Sequence, residues 1–184
     1  MNKIKQMANK IVLPSDLVKR FRYHYSKTEL LLILPAKEKT IVEKNEEYWV
    51  AEKYRIVDDL IQYFSDYLYT AEKPKWIEAS RMRQDFSRYM INITDISKSQ
   101  LHKIDKKQCI QSGIPPSGLT SNCVESKPAD FKKSDEHWRF RQYWNATHKL
   151  QWDDNPDVNM IFFSLRRIKP KYANFIDKHW SEKI

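Results

Sequence analysis

The stretch 46–69, "EEYWVAEKYRIVDDLIQYFSDYLY", decides how the chain is read, because its apolar residues keep one period longer than anywhere else. Ile56, Val57, Leu60, Ile61, Phe64, Tyr67 and Leu68 recur at steps of one, three and four. Asp58, Asp59, Gln62 and Asp66 fall between them. Wound at 3.6 residues per turn, this pattern puts the apolar side chains on one broad face, which predicts a long amphipathic helix with that face buried.

Working outward, "LPSDLVKRFRYHYS" at 13–26 reads as a helix start. Ser15 is placed to cap, Asp16 favours the first turn, and Leu17, Phe21 and Tyr25 follow at four-residue spacing. "ELLLILP" at 29–35 fits a buried strand or a short helical turn ended by Pro35, and periodicity alone does not choose between them. Pro74 opens a further helical candidate over 74–93, in which Trp76 and Ile77 lead to Phe86, Tyr89 and Met90. A shorter one, "TDISKSQLHKID" at 94–105, is capped by Thr94.

Both glycines, both cysteines and three of the eight prolines lie within 106–133, which therefore reads as a flexible loop. Three helices are expected to close the chain. Phe140, Tyr143, Trp144 and Thr147 share a face of the first; Val158, Ile161, Phe162, Leu165 and Ile168 form a stripe on the second; Tyr172, Phe175, Ile176, His179 and Trp180 follow Pro170. The expected fold class is accordingly mainly α, with room for a small β-hairpin near residues 29–43. A basic lead at 1–10 precedes a single domain at 11–184.

Composition bounds the function. The chain has 184 residues, 41% hydrophobic and 31% charged, enough apolar matter for one core under a well-solvated surface. No apolar run reaches bilayer-spanning length and the first residues lack a signal-peptide core, so a soluble intracellular protein with no membrane partner is expected. Cys109 and Cys123 stand without Cys-x-x-Cys spacing or partnered histidines, so no metal site and no disulfide framework is indicated. With glycines only at 113 and 118, no phosphate-cradling loop is present, and no cofactor is expected. The formal net charge of +9 biases the chain toward polyanions or acidic protein surfaces.

Three stretches resemble the MRG domain, the mortality-factor-like module of chromatin proteins, over about residues 11–80. They are "IVLPSDLVKRF", the apolar run into Leu-Pro-Ala of "LLILPAKEKTIVE", and "RIVDDLIQYFSDYL" followed by "LYTAEKPKW". The resemblance implies a helical, non-enzymatic scaffold in the nucleus that recruits subunits of histone acetyltransferase or deacetylase complexes to regulate transcription. It also implies a shallow apolar groove for Phe- and Leu-bearing partner segments, and by position Leu17, Phe21, Tyr25, Leu60 and Phe64 are its candidates.

A second reading is a small basic nucleic-acid-binding protein. "SLRRIKPKY" concentrates Arg166, Arg167, Lys169 and Lys171, and "KRFRYHY" interleaves cations with rings, a mixture suited to phosphates and bases. Catalysis is the weakest expectation. Arg141 and His148 sit seven residues apart, nearly two helical turns, and the Glu-x-Lys at Glu125 and Lys127 falls in the poorly patterned loop.

Overall fold

The computed structural model describes residues 9–13, 15–24, 29–37, 42–58, 60–66, 74–114, 127–128, 130–168 and 170. Tyr25, Lys169, Lys171, Cys123, Glu125, most of the basic lead and the expected final helix at Tyr172 to Trp180 lie outside them.

The fold is mixed α/β, which corrects the mainly helical expectation. Among the described residues there are seven strands: β1 Asn9–Val12, β2 Leu30–Pro35, β3 Glu47–Ala51, β4 Tyr54–Val57, β5 Leu60–Tyr63, β6 Tyr89–Gln100 and β7 Asp157–Arg167. The α-helices described are α1 Ser15–His24, α2 Lys106–Gln111 and α3 Asp135–Thr147. Five strands hydrogen-bond in the order β1-β3-β6-β7-β2, and β4 pairs with β5 in a separate two-stranded sheet.

Where one long helix was predicted, the described residues form three strands and a 3-10 turn at Phe64–Asp66. Tyr48, Trp49, Val50 and Ala51 are consecutively buried on β3. Only residues 58 and 59 separate β4 from β5, which pair antiparallel with Tyr54 opposite Tyr63 and Val57 opposite Leu60. Asp58 takes φ 49°, the left-handed conformation that a two-residue hairpin turn asks for and that Asp tolerates. Asp58, which fell between apolar pairs at helical spacing, therefore lies where the chain reverses. Rings and β-branched residues dominate the flanks, and these favour a half-buried pleated surface over a helix.

The same substitution of strand for helix recurs downstream. Residues 74–88 run extended apart from two single 3-10 turns, Ala79–Arg81 and Gln84–Phe86, and Tyr89, Met90 and Ile91 open β6. The stripe from Val158 to Leu165 is β7. Near residues 29–43 no hairpin forms among the described residues. "LLLILP" is β2, and its partner is β7, with Leu30 opposite Phe163 and Pro35 opposite Val158. Part of the expected loop at 106–133 is helical: α2 is closed by a capping box in which Asp105 Oδ1 accepts from the Gln108 amide (2.7 Å) and Gln108 Oε1 from that of Asp105 (2.9 Å).

Two compact units are built from interleaved segments. One comprises 1–23, 46–92 and 165–184, the other 24–45 and 93–164. In the first, β1 runs parallel to β3 and β3 antiparallel to β6, and Trp49, Ala51, Tyr54, Ile61, Tyr63, Ala79, Met82 and Met90 form the core. In the second, Leu31, Ile33, Leu101, Ile104, Cys109, Phe140, Trp144, Trp152, Val158 and Met160 pack together. Trp144 Nε1 donates to the Leu150 carbonyl (2.7 Å) at the end of α3, so burial of its ring leaves no polar atom stranded. Cys109 is fully buried there; burial, then the charge of Asp105, pushes its thiol up to about 12, which keeps it protonated and unreactive.

Truncating Phe140 to alanine, at 1% exposure between Trp144 and Trp152, is expected to cost about 3–5 kcal/mol in urea unfolding. A loss under about 1 kcal/mol would show that this core is not packed as described.

Candidate functional site

The clearest gathering of charge and aromatic chemistry lies in the first unit, along residues 74–88. This segment has little regular structure of its own, so its shape is set by what ties it down. Tyr54 and Ile77 exchange both backbone hydrogen bonds (3.1 and 2.7 Å). The Glu52 amide points at Met82 Sδ (3.1 Å), Tyr63 donates its hydroxyl to the Phe86 carbonyl (2.6 Å), and Ser87 Oγ donates to the Val50 carbonyl (2.8 Å).

At its end the segment is locked by Arg88, which is 7% exposed. Its Nε and Nη2 reach the two carboxylate oxygens of Glu52 at 3.0 and 2.9 Å, and Nη2 also reaches Ser65 Oγ (2.6 Å), which itself donates to Glu52 (2.7 Å). Asp66 closes the other side through Nη1 and Nη2. The guanidinium lies 3.9 Å from the centroid of the Tyr63 ring. Burial by itself would lower the Arg88 pKa, but hydrogen bonds and charge from Glu52, then Asp66, outweigh it and hold the cation more firmly than in water. Burial pushes the Tyr63 phenol well above its ordinary value; Arg88 opposes this, while Glu52 and Asp66 add to it.

Around this anchor the surface carries cations beside rings. The Arg55 guanidinium lies 5.1 Å from the centroid of Trp76, which meets Phe64 edge-on at 5.2 Å, and Arg55 Nε donates to Gln62 on the facing strand (2.7 Å). Arg83 lies 5.5 Å from the centroid of Phe86. Lys10 reaches the carbonyls of Ser80 (2.5 Å) and Met82 (3.3 Å) and sits 5.1 Å from the Trp49 centroid. Lys53 pairs with Glu78 (3.0 Å) and Arg83 with Asp85 (2.8 Å). Counted over these side chains plus exposed Lys75 and Arg81, six cations meet two acids. The two ion pairs are partly exposed and contribute roughly 0–1 kcal/mol each, weak enough to exchange for a phosphate.

The residues expected from the sequence are dispersed. Leu17 and Phe21 are buried, at 3% and 1% exposure, and the exposed side chain of α1 between them is Lys19. Leu60 lies half-buried on β5, and Phe64 opens a single 3-10 turn against Trp76. The longer helix expected beside α1 is replaced by strands among the described residues. Arg166 and Arg167 are exposed at the end of β7, where Arg166 reaches Glu47 (3.3 Å). Arg141 and His148 are engaged separately: Arg141 pairs with Asp153 (2.7 Å) beside Phe131 and Trp138, and His148 stacks on Trp144 with centroids 4.0 Å apart. Lys127 pairs with Asp135 (3.4 Å). Among the described residues no cluster of three or more His, Cys, Asp or Glu side chains could hold a metal, and no helix is long and apolar enough to cross a membrane.

Sequence reasoning gave no functional role to Glu52, Ser65, Asp66, Arg88 or Trp76. A signal was present in "KPKWIEASRMRQDFSR", where five cations and two aromatic rings fall within 16 residues, but a helical reading scattered them around a cylinder. Comparison of the chain with protein-family models, curated proteins and solved structures finds no match.

Replacing Arg88 by Met leaves the carboxylate of Glu52 buried without its cation, and is expected to cost about 3–5 kcal/mol in urea unfolding at neutral pH. The double replacement Glu52→Leu with Arg88→Met should recover much of that loss. Because Tyr63 titrates higher folded than unfolded, its contribution is complete below pH about 10 and declines as pH rises beyond it. Alkaline destabilisation should accordingly be shallower in Tyr63→Phe, which also loses about 1 kcal/mol for the hydrogen bond to Phe86.

Proposed function

We propose that this chain is a nucleic-acid-binding module that uses the surface of residues 74–88, and that it acts by binding, with no catalytic step of its own. The observation that carries the reading is the pairing of two half-buried rings, Trp76 and Phe86, with the guanidinium groups of Arg55 and Arg83 amid further cations. A nucleotide offers a π face and a negative phosphate, and this surface supplies a partner for each. The net charge of +9 favours encounter with a polyanion. The anchoring through Arg88 means that the segment need not be ordered when ligand arrives, which lowers the cost of binding.

The chromatin-scaffold reading needs apolar anchors at an open groove. Leu17 and Phe21 could serve only by leaving the core, at the cost of the burial that holds α1 in place.

The triple replacement of Lys75, Arg81 and Arg83 by Glu tests the proposal. Wild-type affinity for a fluorescent oligonucleotide should fall steeply with salt, and the variant should bind weakly with a log–log slope smaller by about 3. Unchanged affinity and slope would refute the assignment of this surface. Capture of a Phe/Leu-rich peptide with little salt dependence, and of no oligonucleotide, would favour protein recruitment instead.

A further inference from the structure

Resting on that reading, we infer that the ligand is single-stranded nucleic acid, with an unpaired base stacking on Trp76 while Arg55 and the neighbouring cations hold the phosphates. Binding by charge alone does not require this, since any polyanion satisfies exposed lysines and arginines. The distinguishing feature is where the guanidinium groups lie. Those of Arg55 and Arg83 rest against rings, so each cation comes with a flat aromatic surface at 5.1 and 5.5 Å. Base faces are accessible in an unpaired strand and hidden within the stack of a duplex.

The cation–ring contacts of this unit are not equivalent. Trp49 is 7% exposed and Tyr63 5%, so Lys10 on Trp49 and Arg88 on Tyr63 serve the core. Trp76 and Phe86 are half-buried, so part of each side chain meets solvent. Trp76 is also braced: Phe64 meets it edge-on at 87° and Arg55 is itself held by Gln62, so the ring is pre-set at little further entropic cost.

Reading a duplex calls for an element that enters a groove with its side chains projecting. In this unit α1 buries Leu17, Val18 and Phe21, and the β4–β5 ribbon is four residues per strand with Arg55 and Gln62 bonded to each other across it. Among their described side chains, neither presents a row of projecting donors. Stacking on a ring also tolerates any base, so recognition here is of strandedness and not of sequence.

The experiment titrates the full chain with an oligothymidylate of about 12 nucleotides, and separately with a blunt duplex of equal phosphate number, following tryptophan fluorescence and anisotropy. Wild type should prefer the single strand by about ten-fold or more. Trp76→Leu, which keeps apolar bulk without a π face, should lose about ten-fold or more on the single strand and little on the duplex, and Trp76→Phe should restore most of the loss. Circular dichroism of both variants verifies the fold, and Phe86→Leu provides a second stacking variant should Trp76→Leu not fold. Equal affinity for the two ligands, or single-strand affinity untouched by both leucine variants, would overturn the stacking inference while leaving charge-driven binding intact. Absence of binding to either ligand at low salt would remove the nucleic-acid reading itself.

Discussion

The pairing of Arg88 with Glu52 is the constraint on which the first unit depends. Glu52 has no exposure to solvent, and a carboxylate so placed persists only with a cation and hydrogen bonds around it. Arg88 supplies the cation through two parallel contacts, and Ser65 supplies a further donor. Because these residues come from the end of β3, the turn after β5 and the approach to β6, one polar centre fixes the mutual placement of three chain segments that have little regular structure of their own. A hydrophobic triad would satisfy the same space with comparable stability, but it would not set direction as a forked guanidinium does.

That direction matters for the outer surface. Residues 74–88 meet the core through Ala79 and Met82, pack Ile77 and Phe86 partly against it, and expose Lys75, Arg81 and Arg83. Two 3-10 turns interrupt the segment, so its division between core and surface is set by its tethers and not by strand alternation. The Tyr54–Ile77 backbone pair and the Arg88 lock pin the register at both ends. The surface chemistry proposed for this chain is thus a by-product of how its interior is closed.

What the sequence disclosed was uneven, and for identifiable reasons. Helices α1 and α3 carry their own signals, a four-residue spacing in one and a Ser-Asp start with spaced rings in the other, and both form within the stretches expected. The run from Glu46 misled because two short strands joined by a two-residue turn place apolar residues at 56, 57, 60, 61 and 64, which coincides with a helical stripe. Periodicity cannot separate those cases; the paired aspartates with their local turn preference, and the abundance of rings and β-branched residues, were the better guide. β7 misled differently. It is buried on both faces over Val158 to Ile161, so no alternation is visible to mark it as a strand. The resemblance to a helical chromatin module drew on the same misread segments, and the lock of Glu52 with Arg88 was beyond any local pattern, since its partners stand 36 positions apart.

The pairing of β2 with β7 joins Pro35 to Val158 and Leu30 to Phe163, near opposite ends of the chain. During synthesis the greasy hexapeptide "LLLILP" leaves the ribosome long before its mate exists, and contacts of such separation close slowly even in the finished polypeptide. For that interval it is an adhesive strand with nothing to adhere to. The charged residues that follow Ala36 behind it, Lys37, Glu38 and Lys39, are the kind of flank that holds a nascent segment in solution until its sheet is ready.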